Sequence, residues 1–294
     1  MKLGFIGFGE AAFSIARGLS AVGVTSICAY DINSDADGLG TRIRNRAQEA
    51  HVRLVDSNAA LADNSDVLFS TVTANCAAEA ASQTTPHLQP RHVYVDLNSV
   101  SPALKQSIGQ LIEHSGARFV EGAIMSPVLP HGHRVPMLLG GAYAQNLATL
   151  LSPYEMRLEV VSGEIGAAAA TKMCRSIIIK GLEALVLECL VAAHKYQAEE
   201  RVLASLAETF PEIDWPTLAG YMMERVIAHG ERRAREMEEV AETLRAAGVE
   251  PIMAEATVRR QDWCASLKLR NPADCSEQTS YQEILKAIEE AQLH

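Results

Sequence analysis

A chain of 294 residues, 48% apolar and 21% charged, is long enough for one large or two medium globular domains. A net charge of −10 argues against a general nucleic-acid or anionic-membrane binder, since both polyanions repel it. Six cysteines (Cys28, Cys76, Cys174, Cys189, Cys264, Cys275) form no C-x-x-C pair, which points to reduced thiols in a cytoplasmic protein rather than a disulfide scaffold.

The N-terminal "MKLGFIGFGEAAF" is apolar, but Glu10 interrupts it and no small-residue cleavage site follows, so it does not read as a signal peptide. "KLGFIGFG" reads as a short strand, "EAAFSIARGLSAVG" as a helix stopping at Gly23, and "VTSICAYD" as a second strand. The turn between strand and helix is Gly7-Phe8-Gly9-Glu10-Ala11-Ala12, a G-x-G-x-x-A dinucleotide fingerprint. Gly7 makes the tight turn, Gly9 lets the backbone approach a pyrophosphate, and Ala12 permits close helix–strand packing. Asp31, at the end of the second strand, is placed to accept hydrogen bonds from a ribose 2′-hydroxyl and to repel a 2′-phosphate. NAD is therefore expected ahead of NADP, although the run Arg42, Arg44, Arg46 leaves a phosphate partner open. The rival reading is a glycine turn that binds nothing.

Four further apolar runs read as strands: 66–73, 92–99, 117–124 and 136–141. Ligands of doubly wound sheets bind beyond the carboxyl ends of the strands, which draws attention to Thr71, Val72, Thr73, Asn98, Ser99 and the segment Met125, Ser126, Pro127. After Gly163 the pattern becomes helical, with Pro211, Pro216, Gly230, Gly248 and Pro251 as separators. The expected division is a Rossmann domain over 1–162 and an all-helical domain over 163–294, entered by a long helix. That helix contains "SIIIKGLEALVLECLVAA", whose Lys180, Glu183 and Glu188 argue against a membrane span.

Lysines inside an apolar helix must be solvated, paired or used. At about 100° per residue Lys172, Ser176 and Glu183 share one stripe, with Lys180 about 80° away. On pattern alone Lys172 reads as a lysine reaching solvent or paired with Glu183.

The order of these parts resembles the β-hydroxyacid dehydrogenases, the family of 3-hydroxyisobutyrate dehydrogenase and, more distantly, 6-phosphogluconate dehydrogenase. "LGFIGFGEAA" is similar to its fingerprint and "VDLNSVSP" to its D-x-S-T-x-x-P segment. "EGAIMSPVLPHGHRVPMLLGG" stands in the place of its substrate segment, and "GEIGAAAATK" is similar to its G-x-x-G-x-G-x-x-x-K motif. The resemblance implies Lys172 as general acid/base, Ser99 beside the nicotinamide, and Arg235 and Glu236 at the family's later lysine–aspartate pair. It also implies a homodimer. The family's K-x-x-N-N is replaced by Arg175 and Ser176, and its S-G-G by Met125-Ser126-Pro127, so an altered hydroxy or keto acid is expected on the same hydride chemistry. His131 and His133 lack an evident third ligand, so no metal is expected. The alternatives are an imine reductase-like enzyme and a dinucleotide-binding sensor without turnover.

Overall fold

A computed structural model describes residues 1–269 and 280–292; Cys275 lies outside them, and the five cysteines within them are free thiols. The chain divides into two compact units, Met1–Lys172 and Met173–His294. The first alternates strand and helix: β1 (Leu3–Ile6), α1 (Glu10–Ala21), β2 (Ile27–Tyr30), α2 (Leu39–Glu49), β3 (Arg53–Leu54), α3 (Asn58–Asp63), β4 (Val67–Ser70) and α4 (Ala77–Thr84). It continues with β5 (Val93–Asp96), α5 (Pro102–His114), β6 (Arg118–Ile124), the single turn α6 (Val128–His131), β7 (Met137–Gly140), α7 (Ala144–Leu151) and β8 (Leu158–Ser162).

One eight-stranded sheet runs β3-β2-β1-β4-β5-β6-β7-β8. Every neighbouring pair is parallel except β6 with β7, and β1 lies in register between β2 and β4. Both faces are covered, which is why these strands read as unbroken apolar runs rather than alternating ones. Leu3, Phe5, Phe69 and Val95 face one helical layer with Ile15, Leu19, Ile43 and Leu147. Leu68, Tyr94 and Phe119 face the other, with Leu61, Ala81, Ile108 and Ile112. Each fully buried Leu, Ile or Phe here contributes about 1.5–3 kcal/mol. The chain turns back between β1 and β4, so the crevice at their carboxyl ends is the switch point where such sheets take ligands.

The strands β3 and β8 were not visible in the residue pattern. One is only two residues long, and the other is an edge strand alternating half-buried and exposed, so neither forms an apolar run.

The second unit is helical. It is entered through α8 (Ala167–Lys195), a helix of 29 residues that begins in the first unit, followed by α9 (Glu199–Thr209), α10 (Trp215–Ala246), α11 (Ile252–Ser266) and α12 (Tyr281–Gln292). Its core gathers Leu187, Leu190, Trp215, Met223, Val226 and Ile284. Two of the expected separators act differently. Pro216 stands in the first turn of α10, behind the cap Asp214, where a missing N–H costs nothing. Gly230 sits inside that 32-residue helix: a Cβ there would lie 3.0 Å from the Gln261 carbonyl oxygen on α11. The glycine serves a close helix–helix approach, and tertiary packing overrides its poor helix propensity.

Candidate functional site

The phosphate-type turn is built as its glycines require. Gly7 has φ +79°, and a Cβ on it would lie 2.7 Å from Val72 Cγ1, so only glycine fits. The Phe8 ring is fully buried in the core while its N–H donates to Asp31 Oδ2 at 2.7 Å. Asp31 Oδ1 also accepts the Asn33 N–H at 2.9 Å, so this carboxylate ties the end of β2 to the glycine turn. On the other side Thr71 Oγ1 donates to the Gly7 carbonyl oxygen at 2.8 Å, linking β4 to the same turn. Gly9 is the N-cap of α1, no side chain caps it, and a Cβ placed there would meet open space. The first-turn N–H groups therefore face outward at the positive end of the helix dipole. Ala12 is fully buried at the helix–strand contact.

These elements open onto a cleft of about 480 Å³. Of the expected cofactor residues, Gly7, Gly9, Glu10, Ala11, Asp31, Thr71, Val72 and Thr73 line it, Phe8 and Ala12 are fully buried, and Ser99 and Arg235 are not part of its lining. The residue pattern missed Asn33, Asn58, Glu79 and Gln83 in its wall, because each reads as an ordinary turn or helix-surface residue until the sheet brings it to the crevice. Of the arginine run, Arg46 alone lines the cleft; Arg44 is engaged with Thr41 Oγ1 at 3.2 Å and with the Ser34 carbonyl.

Beyond β5, the Asn98 N–H donates to Asp96 Oδ1 at 2.9 Å and its side-chain amide donates to Ser70 Oγ at 2.9 Å, which holds the turn carrying half-buried Ser99. Beneath it Lys105 is fully buried, its Nζ 3.3 Å from Asp96 Oδ1 and donating to the Asp96 carbonyl oxygen at 2.6 Å. Burial pushes the Lys105 pKa down, opposed by the carboxylates of Asp96 and Glu121.

After β6, Met125 and Ser126 are half-buried and Pro127 is exposed. The Ser126 Oγ is shielded from solvent with no hydrogen-bond partner among the described residues. His131 is exposed, whereas His133 is buried so tightly against α1 that a Cβ on Gly18 would fall 2.1 Å from its Nδ1. Arg134 pairs with Glu155.

Lys172 and Ser176 are half-buried and stand four residues apart on α8, with Arg175 exposed between them. Glu183 is held by Arg233 and by Arg225, the latter at 3.3 Å. Lys180 is buried and pairs with Glu236 at 2.7 Å; burial lowers its pKa and Glu236 opposes that. Arg235, exposed on α10, donates to both oxygens of Asp262 at 2.6 and 2.7 Å and pairs with Glu238.

A family model described as an NADP oxidoreductase, coenzyme F420-dependent, matches residues 2–99, and a domain of unknown function (DUF1932) matches residues 193–264. A conserved hypothetical protein from Sinorhizobium meliloti 1021 is 35% identical, over 99% of this chain and 96% of its own, with a TM-score of 0.79. A conserved protein of unknown function, itself structurally similar to 3-hydroxyacid dehydrogenases, is 32% identical over 90% of this chain and 97% of its own, with a TM-score of 0.74. The 3-hydroxyisobutyrate dehydrogenase of Mycobacterium tuberculosis, solved with L-serine, shares the fold at 14% identity and a TM-score of 0.71, covering 98% of each chain.

Proposed function

The chain belongs to the β-hydroxyacid dehydrogenase-like family, and from that premise we propose that it is an NAD(P)-dependent oxidoreductase acting on a β-hydroxy acid or a related hydroxy or keto compound. The observation that carries this reading is the uncapped start of α1 behind Gly7 and Gly9, opening onto a cleft of about 480 Å³ that Asp31 also lines. Such an end offers free N–H groups and a positive dipole to a pyrophosphate, and nothing stands where a Cβ on Gly9 would block it.

In this reading the backbone N–H groups at Gly9, Glu10 and Ala11 hold the pyrophosphate, and Thr71, Val72 and Thr73 form the facing wall. Asp31 keeps lone pairs for ribose hydroxyls beyond its two backbone bonds, and its charge disfavours a 2′-phosphate, so NAD is preferred to NADP. Ser99 stands on the nicotinamide side. Arg235 is proposed as a further cofactor contact, its guanidinium held in this structure by Asp262 and Glu238.

A dinucleotide held by these residues would supply or accept the hydride. Lys172 takes the proton of the alcohol during oxidation, and in the reverse direction its ammonium stabilises the oxyanion developing on the carbonyl. The proposed substrate contacts are Arg175, whose guanidinium suits an acid group, Ser176, one turn after Lys172 on α8, and the segment Met125, Ser126, Pro127 after β6. The working state is proposed to be a cytoplasmic homodimer.

The test follows absorbance at the reduced-nicotinamide band with NAD and NADP against a panel of hydroxy and keto acids. Turnover that falls at least about a thousandfold in Lys172→Ala, with dinucleotide affinity retained, supports the reading. Equal turnover in both proteins removes Lys172 from the chemistry, and failure to bind any dinucleotide overturns the whole proposal.

A further inference from the structure

Glu121, on β6, is fully buried and spends its carboxylate on backbone 45 to 48 residues away. Oε1 accepts the N–H groups of Gly166 at 2.7 Å and Ala168 at 2.9 Å, and Oε2 accepts that of Ala169 at 3.3 Å. These are donors at the start of α8, which helix geometry leaves without intrahelical partners. Room for the carboxylate is made on β7, where a Cβ on Gly140 would lie 2.4 Å from Glu121 Oε1. The entry to α8 is tied again by Gln106 of α5, whose Nε2 donates to the Ile165 carbonyl oxygen at 3.1 Å.

The neighbouring residue on α5 connects the same place to the other half of the site. Lys105 Nζ contacts Asp96 Oδ1 at 3.3 Å and donates to the Gly122 carbonyl oxygen at 3.3 Å, next in chain to Glu121. Asp96 in turn holds the Asn98 N–H. One buried lysine and two buried acidic side chains thus join the Asn98–Ser99 turn to the first turn of α8, and Lys172 follows Ala169 by three residues on that helix.

We propose that Glu121 is a positioning residue for Lys172, fixing the first turn of α8 to the sheet, and that Lys105 couples this anchor to the Asn98–Ser99 turn. The inference rests on Lys172 being the acid/base of the proposed reaction. A serine cap would satisfy one orphan N–H locally; a carboxylate from the sheet satisfies three and sets where the helix begins relative to the strands. Displacement of an acid/base by about 1 Å costs on the order of a hundredfold in rate, so such an anchor acts on kcat rather than on cofactor affinity.

Amide hydrogen exchange over residues 163–172 in Glu121→Gln, read together with steady-state kinetics, tests this. Expected are exchange at least about tenfold faster from Ala168 through Lys172 and a kcat lowered about 10- to 100-fold, with the KM for dinucleotide within about twofold. Glu121→Asp, which keeps the charge on a shorter stem, should fall between that variant and wild type, and serves in its place if Glu121→Gln does not fold. Unchanged exchange at the Lys172 amide overturns the proposal whatever the turnover. So does faster exchange with kcat intact in an enzyme that Lys172→Ala inactivates. Turnover indifferent to Lys172→Ala instead overturns the functional reading, and the exchange data then stand apart from it.

Discussion

Two buried carboxylates serve α8 in opposite ways. Glu121, 0% exposed in the first unit, is neutralised chiefly by backbone N–H groups at the beginning of the helix. Glu183, 2% exposed within the helix in the second unit, is neutralised by the side chains of Arg225 and Arg233 on α10. Both remove a charge from water, which costs several kcal/mol unless it is compensated. Backbone donors are part of the helix and lose no side-chain entropy, so Glu121 defines where a helix starts. Guanidinium donors are presented by a second helix, so Glu183 defines which helix packs alongside.

The largest break in that comparison is expected from Arg233→Ala. It leaves Glu183 buried with half-exposed Arg225 alone, and thermal or urea unfolding should show a loss of about 3–5 kcal/mol. Glu121→Gln keeps one acceptor oxygen for the three N–H groups but removes the charge facing Lys105. Urea unfolding should show a smaller loss, about 1–3 kcal/mol. A result reversing that order would mean that the backbone-held carboxylate, not the arginine-held one, carries the greater part of the helix's stability.

Gly230→Ala sharpens the second half of the comparison. The added methyl gains about 1 kcal/mol of helix propensity but must push against the Gln261 carbonyl oxygen 3.0 Å away, which costs about 1–3 kcal/mol. A net loss near 1 kcal/mol by urea unfolding would show that α10 and α11 are already at their closest approach, whereas a gain would show that α11 can yield.

The smallest effect at neutral pH belongs to Tyr94→Phe, beside Asp96 in the Glu121 network. Burial, with the Asp96 charge, raises the Tyr94 pKa well above its ordinary value. The folded state then keeps the phenol neutral while the unfolded chain ionises it near pH 10, so its contribution is fully present below that pH and lost above it. The loss is about 1.4 kcal/mol per pH unit. Lys105, its pKa lowered by burial, acts with the opposite sign in alkali, because there the unfolded chain binds the extra proton. The readout is therefore the difference between Tyr94→Phe and wild type in urea unfolding from about pH 9 to pH 11. A difference that does not grow with pH would place Tyr94 in contact with water.

Much of the crevice beside the glycine turn is legible in the sequence because its requirements are local. A positive φ at Gly7, an open Gly9 and a carboxylate one strand later are each properties of a short stretch of chain. Glu121 and Lys105 carried no such sign. In "ARFVEGAI" the glutamate reads as an interruption of a strand, and in "SPALKQSIG" the lysine reads as a solvated helix residue. Their partners lie 9 to 48 residues away, so only the sheet's order could reveal them. Gly230 reads as a helix stop for the same reason, since what calls for a glycine there is a carbonyl on α11.

The amino-acid sequence by itself determined the alternation of buried strands and helices, the phosphate-type turn and the helical second half, because periodicity and glycine stereochemistry act over a few residues. Tertiary structure alone decided which buried charges meet, where α8 begins, and that α10 runs on through Gly230. Those outcomes follow from desolvation and close packing between segments distant in the chain, and no window of neighbouring residues contains both partners.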